Sequence, residues 1–240
     1  MKNISKRSKR NPWRNTRNDF SMPWQNIWAT VLTMLLPFGI VFAASNIVLR
    51  SSAFYTFYVS RSGVVSELLY NIESSDLAGA FHKFMMHSSE TFSLTENRDY
   101  KPQQVFGEKD AVLMGDLRNI LDISLIAGLL ILIICIGIGT WLYAKGSNKL
   151  LYRHYLTSWP TVIILLALIS VLVLVIPLRN AIMFSIYGDD FPPADSLMQI
   201  FDAGFWMYFG ICQLVVTLAL MLIILYIMKK FVNAHKMFKL

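Results

Sequence analysis

The sequence predicts an all-α, polytopic membrane protein with four transmembrane helices and a mostly helical segment between the first two. Of its 240 residues, 55% are hydrophobic and only 15% are charged, which is typical of an integral membrane protein. A helix of about 20 apolar residues crosses about 30 Å of hydrocarbon while satisfying its own backbone polar groups. Four runs meet that length, and they are Ile27–Leu49, Leu121–Tyr143, Trp159–Leu178 and Phe205–Met228. We therefore predict a membrane domain over residues 27–228.

Positive charge is concentrated on one side of this predicted domain. The N-terminal tail, residues 1–26, carries seven Lys or Arg, and the C-terminal tail, residues 229–240, carries four. The loop between spans two and three carries three more, and the matching acid count on this side is a single residue, Asp19. Because cytoplasmic loops are enriched in Lys and Arg, we expect both termini to be cytoplasmic and to contact anionic lipid. The pI of 9.4 is then explained by topology, and we predict no nucleic-acid partner.

The segment between the first two spans, residues 50–120, is too long to be a bare loop. Two amphipathic helices are predicted within it, at residues 62–71 and 75–86, with a cap for the second supplied by Ser74, Ser75 or Asp76. The apolar stripe of the second helix is formed by Leu77, Ala80, Phe81, Phe84 and Met85. We expect this stripe to lie on the bilayer surface or against the spans. Residues 90–104 are predicted to be a loop, since Pro102 would break a helix.

Span two contains three glycines, Gly128, Gly137 and Gly139, which we expect to permit close approach of a neighbouring helix. The two cysteines, Cys135 and Cys212, both fall within spans, so no disulfide is expected.

Charged residues gather just before span two. Within fifteen residues the chain places Glu108, Asp110, Asp116, Arg118 and Asp122. Ionisable groups at a membrane boundary are costly unless they are hydrated or paired, so they suggest a functional site. An ordinary solvated helix start fits the same spacing.

Two further candidate sites lie on the predicted outer side. His87 has a carboxylate, Glu90, three residues later on the same predicted helical face, which is the arrangement of a general base; a solvated histidine is the alternative. Asp189 and Asp190 lie in a turn after span three, where they either bind a cation or are solvated. The sequence lacks the G-x-S-x-G, H-E-x-x-H and C-x-x-C patterns. We predict no metal site and no cofactor.

The stretch from Phe106 to Arg118 carries a resemblance to a known family. Phe106, Glu108, Met114 and Asp116 match the pattern F-S-E-R-E-x-x-H-M-x-D-V-K, and four further residues are conservative replacements: Lys109, Asp110, Leu117 and Arg118. A second family region is echoed weakly by Phe184, by Gly188-Asp189-Asp190 and by Phe205-Trp206. In these features the chain resembles the lipoprotein intramolecular transacylase (Lit-type) family, four-span membrane proteins of Gram-positive bacteria. The family's two histidines fall on Leu113 and on Asn180 or Ile182.

The resemblance implies an enzyme of the bacterial plasma membrane that moves the sn-2 acyl chain of a diacylated lipoprotein onto the amine of its N-terminal cysteine at the outer leaflet. This aminolysis needs a base and oxyanion donors. The base is predicted to be His87, supported by Glu90 or Asp116. The ester or headgroup is expected to contact Asp116 and Arg118, with further contacts from Glu108, Asp110, Asp189 and Asp190.

Two other interpretations stay open. The chain is a family member that binds lipid or lipoprotein without catalysis, or it is an unrelated four-span accessory or transport subunit. Transport is disfavoured because the spans contain almost no ionisable residue.

Overall fold

The computed structural model describes residues 23–63, 72–98, 101–174, 197, 200–201 and 203–237. Within these ranges the chain forms six helices and one two-stranded antiparallel hairpin. In chain order they are α1 Pro23–Leu49, α2 Ser52–Ser62, α3 Ser74–Met85, β1 Thr95–Arg98, β2 Lys101–Gln104, α4 Glu108–Ala144, α5 Asn148–Leu174 and α6 Ala203–Met237. The helical fold class is confirmed, with the hairpin as an addition.

The long helices α1, α4, α5 and α6 form an up-and-down bundle in which α1 contacts the other three. At one end, Arg50 after α1 meets Asp122 of α4, and we call this the Arg50 end. At the other, Ser147 between α4 and α5 donates a hydrogen bond to Gln25 of α1, with 3.1 Å between the oxygens. We call this the Lys145 end.

Three of the described helices are long and apolar enough to cross a membrane, over Trp24–Leu49, Glu108–Ala144 and Gly204–Lys230. The outer face of α4 is exposed and apolar, as at Ile126 and Ile133, which suits contact with lipid tails. The chain is thus a membrane protein. Our predicted third span runs past Leu174, the last described residue of α5, so the count of four spans stays a prediction.

Helix α4 is longer than the span predicted within it. Its 37 residues extend about 55 Å at 1.5 Å per residue, against about 30 Å of hydrocarbon. The charged approach from Glu108 is therefore the first part of the same rod, and it projects beyond the apolar run.

One of the three span-two glycines is a close-approach site. A Cβ built on Gly128 would lie 2.9 Å from the Cβ of Phe42 in α1, closer than carbon atoms pack. Gly137 faces open space, so the prediction of close approach is wrong there. A Cβ built on Gly139 would lie 3.9 Å from Leu32, which is an ordinary van der Waals contact. Gly128 therefore sets the separation of α1 and α4.

A second hydrophobic core lies at the Arg50 end, outside the bundle. It joins α2, α3, the residues flanking the hairpin and the start of α6, and we call this assembly the cap. Tyr55 of α2 stacks on Phe81 of α3 with centroids 5.1 Å apart, and Phe81 also contacts Phe92 and Phe201. The Tyr58 hydroxyl donates to the Ile200 carbonyl at 2.7 Å.

The apolar stripe predicted on α3 is confirmed, because four of its five members are at most 2% exposed: Leu77, Phe81, Phe84 and Met85. The stripe packs against α2 and the start of α6. It therefore contacts protein and not the bilayer surface, which was the other expected partner.

Other local predictions differ from the structure. Helix α2 begins at Ser52 and ends at Ser62, followed by Gly63 with φ 69°, where we had predicted a helix to begin; residues 64–71 lie outside the described ranges. The predicted loop holds the hairpin, in which Pro102 pairs with Asn97. The residue before α3 is Glu73, and no side chain caps the helix there, so the predicted serine or aspartate cap is wrong.

Candidate functional site

Arg50 joins three elements at the boundary between the bundle and the cap. Its Nε donates to the Asn46 side chain at 3.2 Å, its Nη1 to the Met85 carbonyl at 3.0 Å and its Nη2 to Asp122 at 2.5 Å. The three partners belong to α1, to the end of α3 and to α4. The Arg50 side chain is 16% exposed, so these contacts replace most of its hydration. Arg50 thereby holds the end of α3 against α1 and α4.

The carbonyls at the end of α1 are also satisfied by cap side chains. The Tyr55 hydroxyl donates to the Leu49 carbonyl at 2.7 Å, and Nδ1 of His82 lies 2.7 Å from the Arg50 carbonyl oxygen. A carbonyl only accepts, so His82 carries its proton on Nδ1. Burial raises the pKa of Tyr55 despite the lowering effect of the Arg50 charge, so its hydroxyl remains a donor. His82 is thus a structural residue.

His87 occupies an unusual backbone position directly after α3. The His87 N–H donates to the Phe84 carbonyl and the Ser88 N–H to the Lys83 carbonyl, the hydrogen bonds of a Schellman motif. The residue that follows the cap in this motif adopts the left-handed conformation and is usually glycine. Here it is His87, with φ 57°. A side chain costs free energy at such a position, and residues that persist there cluster at functional sites.

The turn brings the His87 imidazole to Asp122. Its Nε2 lies 3.1 Å from one carboxylate oxygen of Asp122 and 3.0 Å from the other. The side chain of His87 is 51% exposed and that of Asp122 is 30% exposed, so the pair is reachable from outside the core. An Nε2–H donated to the carboxylate leaves the Nδ1 lone pair available to accept a proton. Chemically, the pair is an imidazole base held by a carboxylate.

Arg118 lies one turn before Asp122 on the same face of α4. Its Nη1 donates to the Ser89 carbonyl at 3.2 Å and reaches the Phe84 carbonyl at 3.5 Å, and its guanidinium carbon lies 4.1 Å from the centre of the Phe84 ring. Nε is buried with no partner among the described residues. Arg118 thus adds a positive charge beside the turn that carries His87.

The acids predicted from sequence are not gathered around His87. Asp110 is buried and its carboxylate accepts the Gly107 N–H at 3.0 Å, which caps the start of α4. Glu108 and Asp116 are exposed, and Asp116 is about 120° around the helix from Asp122. Glu90 is exposed as well, and since α3 ends at Met85 the helical spacing assumed between His87 and Glu90 is wrong.

The remaining sequence candidates are placed away from the turn or lie outside the described residues. Leu113 is 4% exposed and packs in the core shared with the cap. Asp189 and Asp190 lie outside the described ranges, as do Asn180 and Ile182. No group of three or more His, Cys, Asp or Glu that could hold a metal occurs in the part of the chain that the structure describes.

Sequence reasoning missed Arg50 as a site residue and Asp122 as the partner of His87. A signal was present, because Arg50 closes the first apolar run and Asp122 opens the second. Consecutive spans run in opposite directions, so these two charges must lie at the same membrane boundary and are able to pair. The turn at His87 had only a weak signal, since histidine adopts the left-handed conformation more often than most side chains but much less often than glycine.

The fold has counterparts among solved structures. The membrane integral lipoprotein intramolecular transacylase Lit from Bacillus cereus superposes with a TM-score of 0.62 at 13% identity, covering 89% of this chain and 98% of that one. Two variants of that protein, with a histidine replaced by arginine or by alanine, give TM-scores of 0.66 and 0.60 at the same identity, covering 94% and 96% of those chains. This chain has a Lit-like fold. No family profile and no curated protein sequence matches it.

Proposed function

We propose that this protein is a Lit-type transacylase that moves the sn-2 acyl chain of a diacylated lipoprotein to the amine of its N-terminal cysteine. The observation that carries the proposal is the His87–Asp122 pair, held by Arg50 at a membrane boundary in a protein of Lit-like fold. We place the Arg50 end at the outer leaflet of a bacterial plasma membrane with both termini in the cytoplasm, because the described Lys145 end is rich in lysine and free of acids.

In the proposed reaction His87 acts as the base. The cysteine amine attacks the carbonyl carbon of the sn-2 ester, and Nδ1 of His87 accepts the proton that the nitrogen loses. The new C–N bond forms and the C–O bond to the glycerol breaks, after which the same proton passes to the departing glycerol oxygen. The products are an N-acyl cysteine and a lyso-glyceryl group, so atoms and charge balance without a cofactor. Because amine and ester belong to one molecule, proximity supplies much of the acceleration.

Asp122 and Arg50 act on this step through His87. The Asp122 carboxylate accepts the Nε2 proton, which fixes the tautomer and stabilises the imidazolium that forms. Arg50 holds that carboxylate in place. Arg118 is the candidate group for stabilising the developing oxyanion or binding the headgroup. Its hydrogen bonds to described residues are both donated by Nη1, so the rest of the guanidinium is considered for this role.

The test is expression in a bacterial strain without its own lipoprotein N-acylating enzymes, followed by mass analysis of lipoprotein N-termini. We expect lyso-form peptides carrying an N-acyl group. Unchanged diacyl peptides from correctly inserted protein would reject catalysis and favour the non-catalytic alternative, in which the same end binds lipid or lipoprotein.

Substitutions separate the candidate carboxylates. We expect His87→Ala to abolish the lyso form and Asp122→Asn to reduce it by about 10²–10⁴-fold, the usual contribution of acid–base catalysis. Asp76→Asn is the matched control, because Asp76 is an exposed acid at the start of α3. An equal loss in Asp116→Asn would transfer the role of Asp122 to Asp116, as the sequence pattern had predicted.

A further inference from the structure

A second candidate site lies at the opposite end of the bundle from His87. A groove of about 530 Å³ opens there between α1, α4, α5 and α6, a volume within the range of about 300–1,000 Å³ that is typical of small-molecule pockets. Its lining is almost entirely apolar. The opening is on the lipid side of the bundle, because the lining residues Ile136, Tyr143 and Ile227 are 64%, 40% and 45% exposed.

The groove has the length of one acyl chain within one leaflet. Along α4 its lining repeats on one helical face from Leu132 through Cys135, Ile136, Gly139 and Thr140 to Tyr143. At about 1.5 Å per residue this face is about 16 Å long, and half of the hydrocarbon thickness is about 15 Å.

The groove ends at a buried polar group with no partner. Asn148 lines the groove and is 6% exposed, and neither Nδ2 nor Oδ1 makes a hydrogen bond within the described residues. The neighbouring polar residues are satisfied, since Thr140 donates to the Gly137 carbonyl and Tyr155 to the Met221 carbonyl. A buried amide without partners costs free energy, so Asn148 calls for a ligand with donors or acceptors. The ester and glycerol oxygens of a phospholipid are such groups.

Positive charge surrounds the same end. Lys145 and Lys149 flank Asn148, and Lys229 and Lys230 directly follow Met228, which lines the groove; all four lysines are exposed. The sequence has no Asp or Glu between Asp122 and Asp189, nor after Asp202. A lysine near the membrane surface favours an anionic headgroup by roughly fivefold.

We propose that the groove is a binding site for an anionic phospholipid of the leaflet at the Lys145 end. One acyl chain lies along the α4 face, the ester region meets Asn148 and the phosphate meets the lysines. The site is separate from the proposed catalytic end, and its test does not use acyl transfer.

The test measures lipid retained by the full-length protein. The protein is purified from nanodiscs that contain equal phosphatidylglycerol and phosphatidylcholine, transferred to mild detergent, and analysed by native mass spectrometry. We expect about one phosphatidylglycerol per protein. Gly139→Phe should lower that occupancy about tenfold or more, because the added ring takes the space of the acyl chain in the groove. Gly137→Phe is the matched control, since it lies two residues away and faces open space. Should Gly139→Phe fail to insert, Thr140→Phe on the same lining fills the groove instead.

Asn148→Leu gives a second readout in the opposite direction. Without lipid it should raise the melting temperature, because an unpaired buried amide is removed, while phosphatidylglycerol occupancy falls about fivefold, the usual value of one hydrogen bond. Equal occupancy in Gly139→Phe and Gly137→Phe would overturn the groove as the binding site. Equal retention of phosphatidylglycerol and phosphatidylcholine would overturn the preference for an anionic headgroup. A lower lipid-free melting temperature for Asn148→Leu would show that the amide already has a partner, which would overturn its role in binding the lipid.

Discussion

Replacing His87 by glycine should separate stability from activity. The residue sits in the left-handed position after α3, with φ 57°, where a side chain costs about 1–2 kcal/mol relative to glycine. Its contact with Asp122 is half exposed and is therefore worth about 0–1 kcal/mol. Removing both terms leaves His87→Gly between unchanged and about 2 kcal/mol more stable than the wild type.

Alanine at the same position is the matched comparison. His87→Ala also lacks the imidazole but keeps the backbone cost, so it should be about 1 kcal/mol less stable than His87→Gly. For a chain of this size that is a difference in melting temperature of about 2–4 °C.

The assay is thermal unfolding of the two purified variants in the same detergent, beside the lipoprotein analysis described above. We expect neither variant to form the lyso product, although the glycine variant is the more stable. A glycine variant less stable than the alanine variant would refute the left-handed assignment. Retained activity in either variant would refute the role of His87 as the base.

Other predictions concern the contacts within the cap and the bundle and the orientation of the protein in the membrane. Arg50→Lys should destabilise the protein by about 1–3 kcal/mol in thermal unfolding, because one ammonium cannot reproduce the three charge-assisted contacts to α1, α3 and α4; an unchanged melting temperature would contradict this. Tyr58→Phe should cost about 1 kcal/mol through the lost hydrogen bond to Ile200, and a neutral effect would show that the bond is dispensable. Gly128→Leu should lower stability by about 1–3 kcal/mol or prevent insertion, whereas Gly137→Leu should be near neutral; similar effects would contradict the close packing of α1 on α4. In a variant lacking Cys135 and Cys212, Ser88→Cys should react with an impermeant thiol reagent from outside the cell and Ser147→Cys should not, while the reverse pattern would invert the proposed orientation.

The membrane helices and the α3 stripe were predictable because each follows from a one-dimensional pattern. A run of apolar residues long enough to span lipid has few other folds available, and the period of Leu77, Phe81 and Phe84 already assigns them to one face. The partner of that face was not predictable. It depends on Phe201 and Phe205, more than a hundred residues away, and neither carries a local signal of that contact.

The site was predicted less well than the fold. His87 was predicted as a histidine near acids, and the structure places it beside Asp122, but its helical spacing to Glu90 assumed that α3 continued. The helix ends because the chain turns left-handed at His87, and a single histidine is only a weak predictor of that conformation. Asp110 illustrates the opposite error, since its position near the start of the helix suggested a site whereas the structure uses its carboxylate as a cap.

The part of helix α4 between Asp122 and Tyr143 also matches the hydrocarbon thickness of a bilayer. Tyr143 lies 21 positions after Asp122, which at about 1.5 Å per position is about 31 Å, close to the average hydrocarbon depth. A thicker bilayer would draw the Asp122 carboxylate below the headgroups or tilt the rod and the cap bound to it, and a thinner one would lift the turn away from the ester plane. The height of the His87–Asp122 pair relative to the lipid is thus set by the length of an uninterrupted helix, so a change in acyl-chain length would change the depth of this pair in the membrane.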